Sequence, residues 1–131
     1  MGDGTTIGKV RGLGSSHEGT DHWVHQRYTA LGNLFLGAWF LTSVLLLPSL
    51  DLAAISEWLS KPIPGTAMIL LILSTFYHAR LGLQVLIEDY VHDQGTRFAL
   101  VGLLSMVAVA AATFGIFCVL KIAIGTGGSL L

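Results

Sequence analysis

Three stretches of this chain carry no Asp, Glu, Lys or Arg: residues 28–50, 62–79 and 98–120. A helix needs about 20 predominantly apolar residues to cross the hydrocarbon core of a bilayer, so three crossings fit. The first is expected from about Thr29 to Leu47, with Pro48 close to its end. The second is expected from about Gly65 to Tyr90, and the third from about Phe98 to Ile124. The middle run is the shortest, and it reaches full length only by taking in Arg80 or by sliding over Pro62 and Pro64. Between the first two, Asp51 is placed to cap a turn or two of interfacial helix with Leu52, Ile55, Trp58 and Leu59 towards lipid. Residues 91–97 read as a polar turn.

The middle helix organises the rest. At about 100° per residue, Ser74, Thr75, His78, Gly82 and Asp89 share one sector, and Tyr77, Arg80, Gln84 and Glu88 share a second. Between them lies an apolar face of Met68, Ile69, Ile72, Phe76, Ala79, Leu83, Leu86 and Ile87, which is expected to touch lipid. Polar strips at membrane depth must face partners, a cofactor or trapped water. In the third run, Gly102, Ser105, Ala108, Ala111, Ala112 and Gly115 repeat a small residue at spacings that let helices approach closely.

Composition agrees with the pattern. Hydrophobic residues make up 53% of the 131 and charged residues 11%, too apolar for an ordinary soluble domain. The net charge of −1 offers no basic field for nucleic acid. Cys118, the single cysteine, lies within the third run and reads as packing. Residues 1–21, with six glycines and no apolar run, read as a flexible cytoplasmic tail, leaving one three-helix membrane domain over 22–131. Gly125-Thr126-Gly127-Gly128 reads as a frayed end. Lys9, Arg11, Arg27 and Arg97 fall on one side of the membrane and Lys61 and Lys121 on the other, which places the N-terminus in the cytoplasm.

Candidate chemistry sits where polar groups meet the apolar runs. His17, His22, His25 and His92 lie outside those runs, so only His78 is at membrane depth. Two readings of it stay open: a neutral imidazole ligating haem iron, or a histidine hydrogen-bonded to Ser or Thr of a neighbouring helix. Gly82, one turn on, removes a side chain that would block a flat macrocycle. If haem is bound through two histidines, the second must come from another chain. A lone His22-x-x-His25 pair has too few ligands for a metal. Asp89 and Tyr90 at the membrane surface read either as a helix end with an aromatic anchor or as a site for a quinone arriving through lipid. In the latter, the phenol donates to a quinone carbonyl and the carboxylate relays a proton. Arg80, costly at its depth, is expected to pair with Glu88, Gln84, a partner residue or a haem propionate.

His78-Ala79-Arg80-Leu81-Gly82 running on to Glu88-Asp89-Tyr90-Val91 resembles the H-x-x-x-G-x-x-x-x-x-x-D-Y-V signature of the small hydrophobic membrane-anchor subunits of succinate dehydrogenase (complex II). His22-Trp23 followed by Gln26-Arg27-x-Thr29-Ala30 resembles the segment before that family's first helix, particularly in alphaproteobacterial members. The resemblance covers about residues 19–124. It implies an all-α integral membrane fold that packs with a second anchor subunit, in the bacterial inner membrane and the respiratory chain. It implies that His78 is an axial ligand of haem b, shared with the larger cytochrome b anchor subunit. Tyr90 and Asp89 match the family's quinone-site tyrosine and acid, and Arg27 its basic residue near quinone and propionates. His22 and Trp23 match residues near the iron–sulfur subunit, and His22, Gly82 and Arg80 complete the candidate cofactor-contacting set. Electrons from succinate would reach ubiquinone or another quinone through the flavoprotein and iron–sulfur subunits. With no flavin-binding motif and no cysteine cluster, this chain cannot itself oxidise succinate. A haem-free structural or assembly anchor, and the anchor of a fumarate reductase, are the alternatives.

Overall fold

The computed structural model describes residues 17–125, with side chains described from Thr20 onwards. Expectations for residues 1–16 and 126–131 lie outside the described residues. Among the described residues four helices follow in order: α1 His17–Leu45, α2 Leu52–Ser60, α3 Pro62–Tyr90 and α4 Gln94–Ile124. Among the described residues, Thr20–Leu45, Pro62–Tyr90 and Gln94–Ile124 are long and apolar enough to cross a membrane. At about 1.5 Å per residue, helices of this length outreach the roughly 30 Å hydrocarbon core, so their ends enter the headgroup zone. The helices therefore run past the expected crossings, α1 upstream by more than two turns and α4 by one.

Local chemistry explains where the elements stop. Asp51 caps α2, its carboxylate accepting from Ala54 N–H at 2.8 Å. Asp93 caps α4, accepting from Thr96 N–H at 2.7 Å. The Ala54 N–H, and after it the Ser49 hydroxyl, holds the Asp51 carboxyl below its ordinary pKa. Thr96, through its N–H and then its hydroxyl, does the same for Asp93. Pro62 opens α3, where its missing N–H costs nothing.

α3 is the central element: α1 and α4 each pack along it, α2 packs on α3 and α4, and α1 and α4 form no substantial interface. The spans thus stand in a row. Among the described residues only Leu59, Leu81, Ala112 and Val119 are buried, and none of these is polar. Two expectations about lipid-facing surface are corrected here. Ile72 of the apolar α3 face lies over Gly115 of α4, where an added Cβ would meet its Cγ2 at 3.2 Å. The apolar side of α2 turns partly inward, with Leu59 buried and Trp58 stacked on Trp39 at 5.7 Å and tilted against Phe40. Lipid-facing and helix-facing surfaces are equally apolar, so hydropathy does not separate them.

Candidate functional site

α1 runs antiparallel to α3, and polar positions of the two helices meet turn by turn. His22, Gln26, Thr29 and Asn33, spaced by four, three and four residues, fall on one side of α1. Gln26 reaches Gly82, where an added Cβ would stand 3.7 Å from its amide nitrogen. One turn deeper, Thr29 Oγ1 lies 3.0 Å from His78 Nδ1. Deeper still, Ser74 Oγ approaches the Thr29 carbonyl and Thr75 Oγ1 approaches Asn33 Oδ1, each at 3.5 Å. The first polar strip of α3 therefore serves α1 within this chain.

His78 is half-buried, and the Thr29 contact occupies one ring nitrogen. Among the described residues, the buried side-chain nitrogen without a partner is His22 Nε2. His78 Nε2 has no hydrogen-bond partner among the described residues. An imidazole in an apolar span with one ring nitrogen unpartnered among the described residues could hold the iron of a porphyrin. No cluster of three or more metal-ligating side chains stands elsewhere among the described residues. Gly82 is not a bare shelf: its cleared space is shared with Gln26, and an alanine there would make only ordinary van der Waals contact.

Arg80 points the other way. Its Nε donates to Ser105 Oγ of α4 at 2.9 Å, and the serine hydroxyl in turn donates to Val101 O at 2.8 Å. The expected pairing with Glu88 or Gln84 does not form, because Gln84 Nε2 donates to Glu88 Oε1 at 2.8 Å. Arg80 and His78 thus serve opposite flanks of α3. On the α1 side of the site, the Arg27 guanidinium lies over the Trp23 ring at 4.9 Å, and His25 meets the Tyr77 ring edge-on.

Asp89 and Tyr90 end α3, both exposed, Tyr90 at 78%. Gln26 sits at the level of Gly82, so the neighbouring Arg27 stands about two helical turns, roughly 12 Å, below Tyr90. The structure brings His78, Gly82, Gln26 and Thr29 together, with Arg27 at the same level, and keeps Asp89 and Tyr90 at the surface rim. The Thr29 contact is the hydrogen bond to a neighbouring helix that the sequence left open for His78, with the threonine unnamed, and Ser105 is the Arg80 partner that residue-by-residue reading missed. The four-three-four spacing on α1 was the available signal for Thr29, and the small-residue stripe of α4 for Ser105.

Over residues 1–116 the chain matches the family described as succinate dehydrogenase/fumarate reductase transmembrane subunits. The succinate dehydrogenase hydrophobic membrane anchor subunit of Rickettsia bellii is 32% identical over 114 residues, spanning 82% of this chain and 91% of that protein. Its counterpart in Rickettsia conorii is 31% identical over 115 residues, spanning 85% of this chain and 91% of its own length.

Proposed function

This chain belongs to the succinate dehydrogenase/fumarate reductase transmembrane subunit family, and on that premise we propose that it holds haem b through His78 and forms part of a quinone-reduction site at Tyr90 and Asp89. Its coarser role is that of a succinate dehydrogenase membrane anchor, a multi-pass subunit of the bacterial inner membrane that assembles with the other complex II subunits. The observation that carries the finer reading is the state of His78. One ring nitrogen is committed to Thr29, and the other has no hydrogen-bond partner among the described residues.

Each residue then has a distinct task. His78 would hold the haem iron through its imidazole, together with a residue of the cytochrome b anchor subunit. When bound, haem b supplies a one-electron carrier next to the quinone site. Arg27, about two helical turns below Tyr90, supplies positive charge for a propionate or for the quinone oxygen. Tyr90, at the rim of α3, donates its phenolic hydrogen bond to a quinone carbonyl, and Asp89 beside it passes protons from water. The flavoprotein and iron–sulfur subunits deliver the electrons from succinate. His22, on the same end of α1, is the further candidate contact to the cofactor region, and its Nε2 is buried and without a partner among the described residues.

The test is the reduced-minus-oxidised optical spectrum of the complex purified through this chain, compared between the native protein and His78→Ala. A b-type signal lost or shifted in the variant, with all subunits still assembled, supports the assignment. A native complex with no b-type signal defeats it.

A further inference from the structure

We propose that Thr29 is a positioning residue for His78, fixing its ring so that Nδ1 carries the proton and Nε2 is the nitrogen left free. This rests in part on the haem reading above, but the proton assignment follows from geometry alone.

Thr29 Oγ1 has three neighbours at hydrogen-bond distance: the His25 carbonyl at 2.8 Å, the Gln26 carbonyl at 3.1 Å and His78 Nδ1 at 3.0 Å. A hydroxyl carries one proton and two lone pairs. The two carbonyls can only accept. If the hydroxyl proton pointed at His78, both carbonyl oxygens would face hydroxyl lone pairs with no proton between them, a repulsive arrangement at a half-buried site. If the proton goes to the His25 carbonyl, the closer of the two, the contact with His78 is attractive only when Nδ1–H is the donor. The arrangement with the most attractive contacts therefore makes Thr29 a donor to its own helix and an acceptor from His78.

That arrangement has two consequences. It fixes the tautomer, leaving the Nε2 lone pair as the free ligand atom, and it fixes the ring plane through a contact from a second helix. It also makes the imidazole a stronger electron donor through Nε2, as an acceptor on the far nitrogen of a metal-binding histidine does. Since a more basic ligand favours the ferric state, removing the hydroxyl is expected to raise the midpoint potential.

The experiment uses the intact purified complex with Thr29→Val, which removes the hydroxyl at nearly constant volume, and Thr29→Ser, which keeps it. Two quantities are read: the proton-bearing nitrogen of His78 from nitrogen-15 spectra of histidine-labelled, reduced complex, and the haem midpoint potential. The expected result is Nδ1–H in the native protein, a native-like potential in Thr29→Ser, and a positive shift in Thr29→Val. A roughly tenfold loss of ferric preference, the low end of effects at such supporting residues, corresponds to about 59 mV for one electron. A native ring protonated on Nε2, or a Thr29→Val potential equal to native with haem retained, overturns the proposal. A native complex without His78-dependent haem defeats the ligand reading instead, and the ring-proton measurement then decides the Thr29 assignment by itself. If Thr29→Val does not assemble, Thr29→Ala is measured against Thr29→Ser with the same two outcomes.

Discussion

Gly65→Ala tests the tightest joint of the fold. Gly65 lies in the first turn of α3, and its N–H is bonded to Lys61 O at 3.1 Å. A Cβ there would stand 2.7 Å from the carbonyl oxygen of Leu59, short of ordinary 3.4 Å contact by 0.7 Å. The obstacle is backbone, so no side chain can rotate away. Relief requires α2 to move relative to α3, yet α2 is pinned by buried Leu59 and by Trp58 stacked on Trp39. Overpacking of this kind costs about 1–3 kcal/mol. Replacing glycine by alanine in a helix returns roughly 0.5–1 kcal/mol, the upper end of which a first-turn position does not reach. The net is a destabilisation of about 1 kcal/mol. Gly37 and Gly102, where an added Cβ meets nothing within 4 Å in this chain, serve as controls. The assay is denaturation of the detergent-solubilised complex by sodium dodecyl sulfate, followed by far-ultraviolet circular dichroism and subunit retention. Gly65→Ala should unfold at lower denaturant than the native complex, and a midpoint equal to or above native would refute the reasoning.

Two further outcomes follow from the polar groups. Ser105→Ala leaves the Arg80 Nε without its acceptor on α4, at a cost of about 1–3 kcal/mol in the same denaturation assay. Arg80→Leu in that background should restore much of the loss, and a Ser105→Ala complex as stable as native would show that the bond carries no weight. The caps give a pH dependence: Asp51 and Asp93 have depressed folded pKa values, so their contribution is present above the unfolded value near 3.8 and lost as pH falls through the folded value. Asp51→Asn with Asp93→Asn should flatten the fall in thermal stability below about pH 4, an acid limb unchanged from native counting against the caps.

Much of this organisation is legible in the residues. The charge-free runs give the three crossings because burying an ionised side chain in hydrocarbon is costly. Asp51 announces α2 because a carboxylate just before an amphipathic stretch satisfies free N–H groups. His78 stands out as the one histidine in an apolar run. The partners are harder to read. Thr29 looks like an ordinary residue at the start of a span, and its meaning appears only when α1 is placed antiparallel to α3 at one register. Arg80 offers the opposite lesson: Glu88 and Gln84 are its helical neighbours, but they satisfy each other, and the guanidinium takes a serine across the interface. Ile72 was hidden for another reason, since a side chain against lipid and one against Gly115 have the same hydropathy.

The row arrangement of the spans has a consequence for the life of the chain in a cell. Once inserted, each helix satisfies its own backbone and persists in lipid, so the step left to fail is docking. With four buried residues and spans lined up side by side, the lone subunit has little enclosed interior to resist extraction by membrane proteases. Its survival is then tied to meeting its companions, as with obligate assemblies whose stability depends on partner concentration. Newly made copies in excess of the other subunits should be short-lived, and the abundance of the companions should set how much of this chain accumulates.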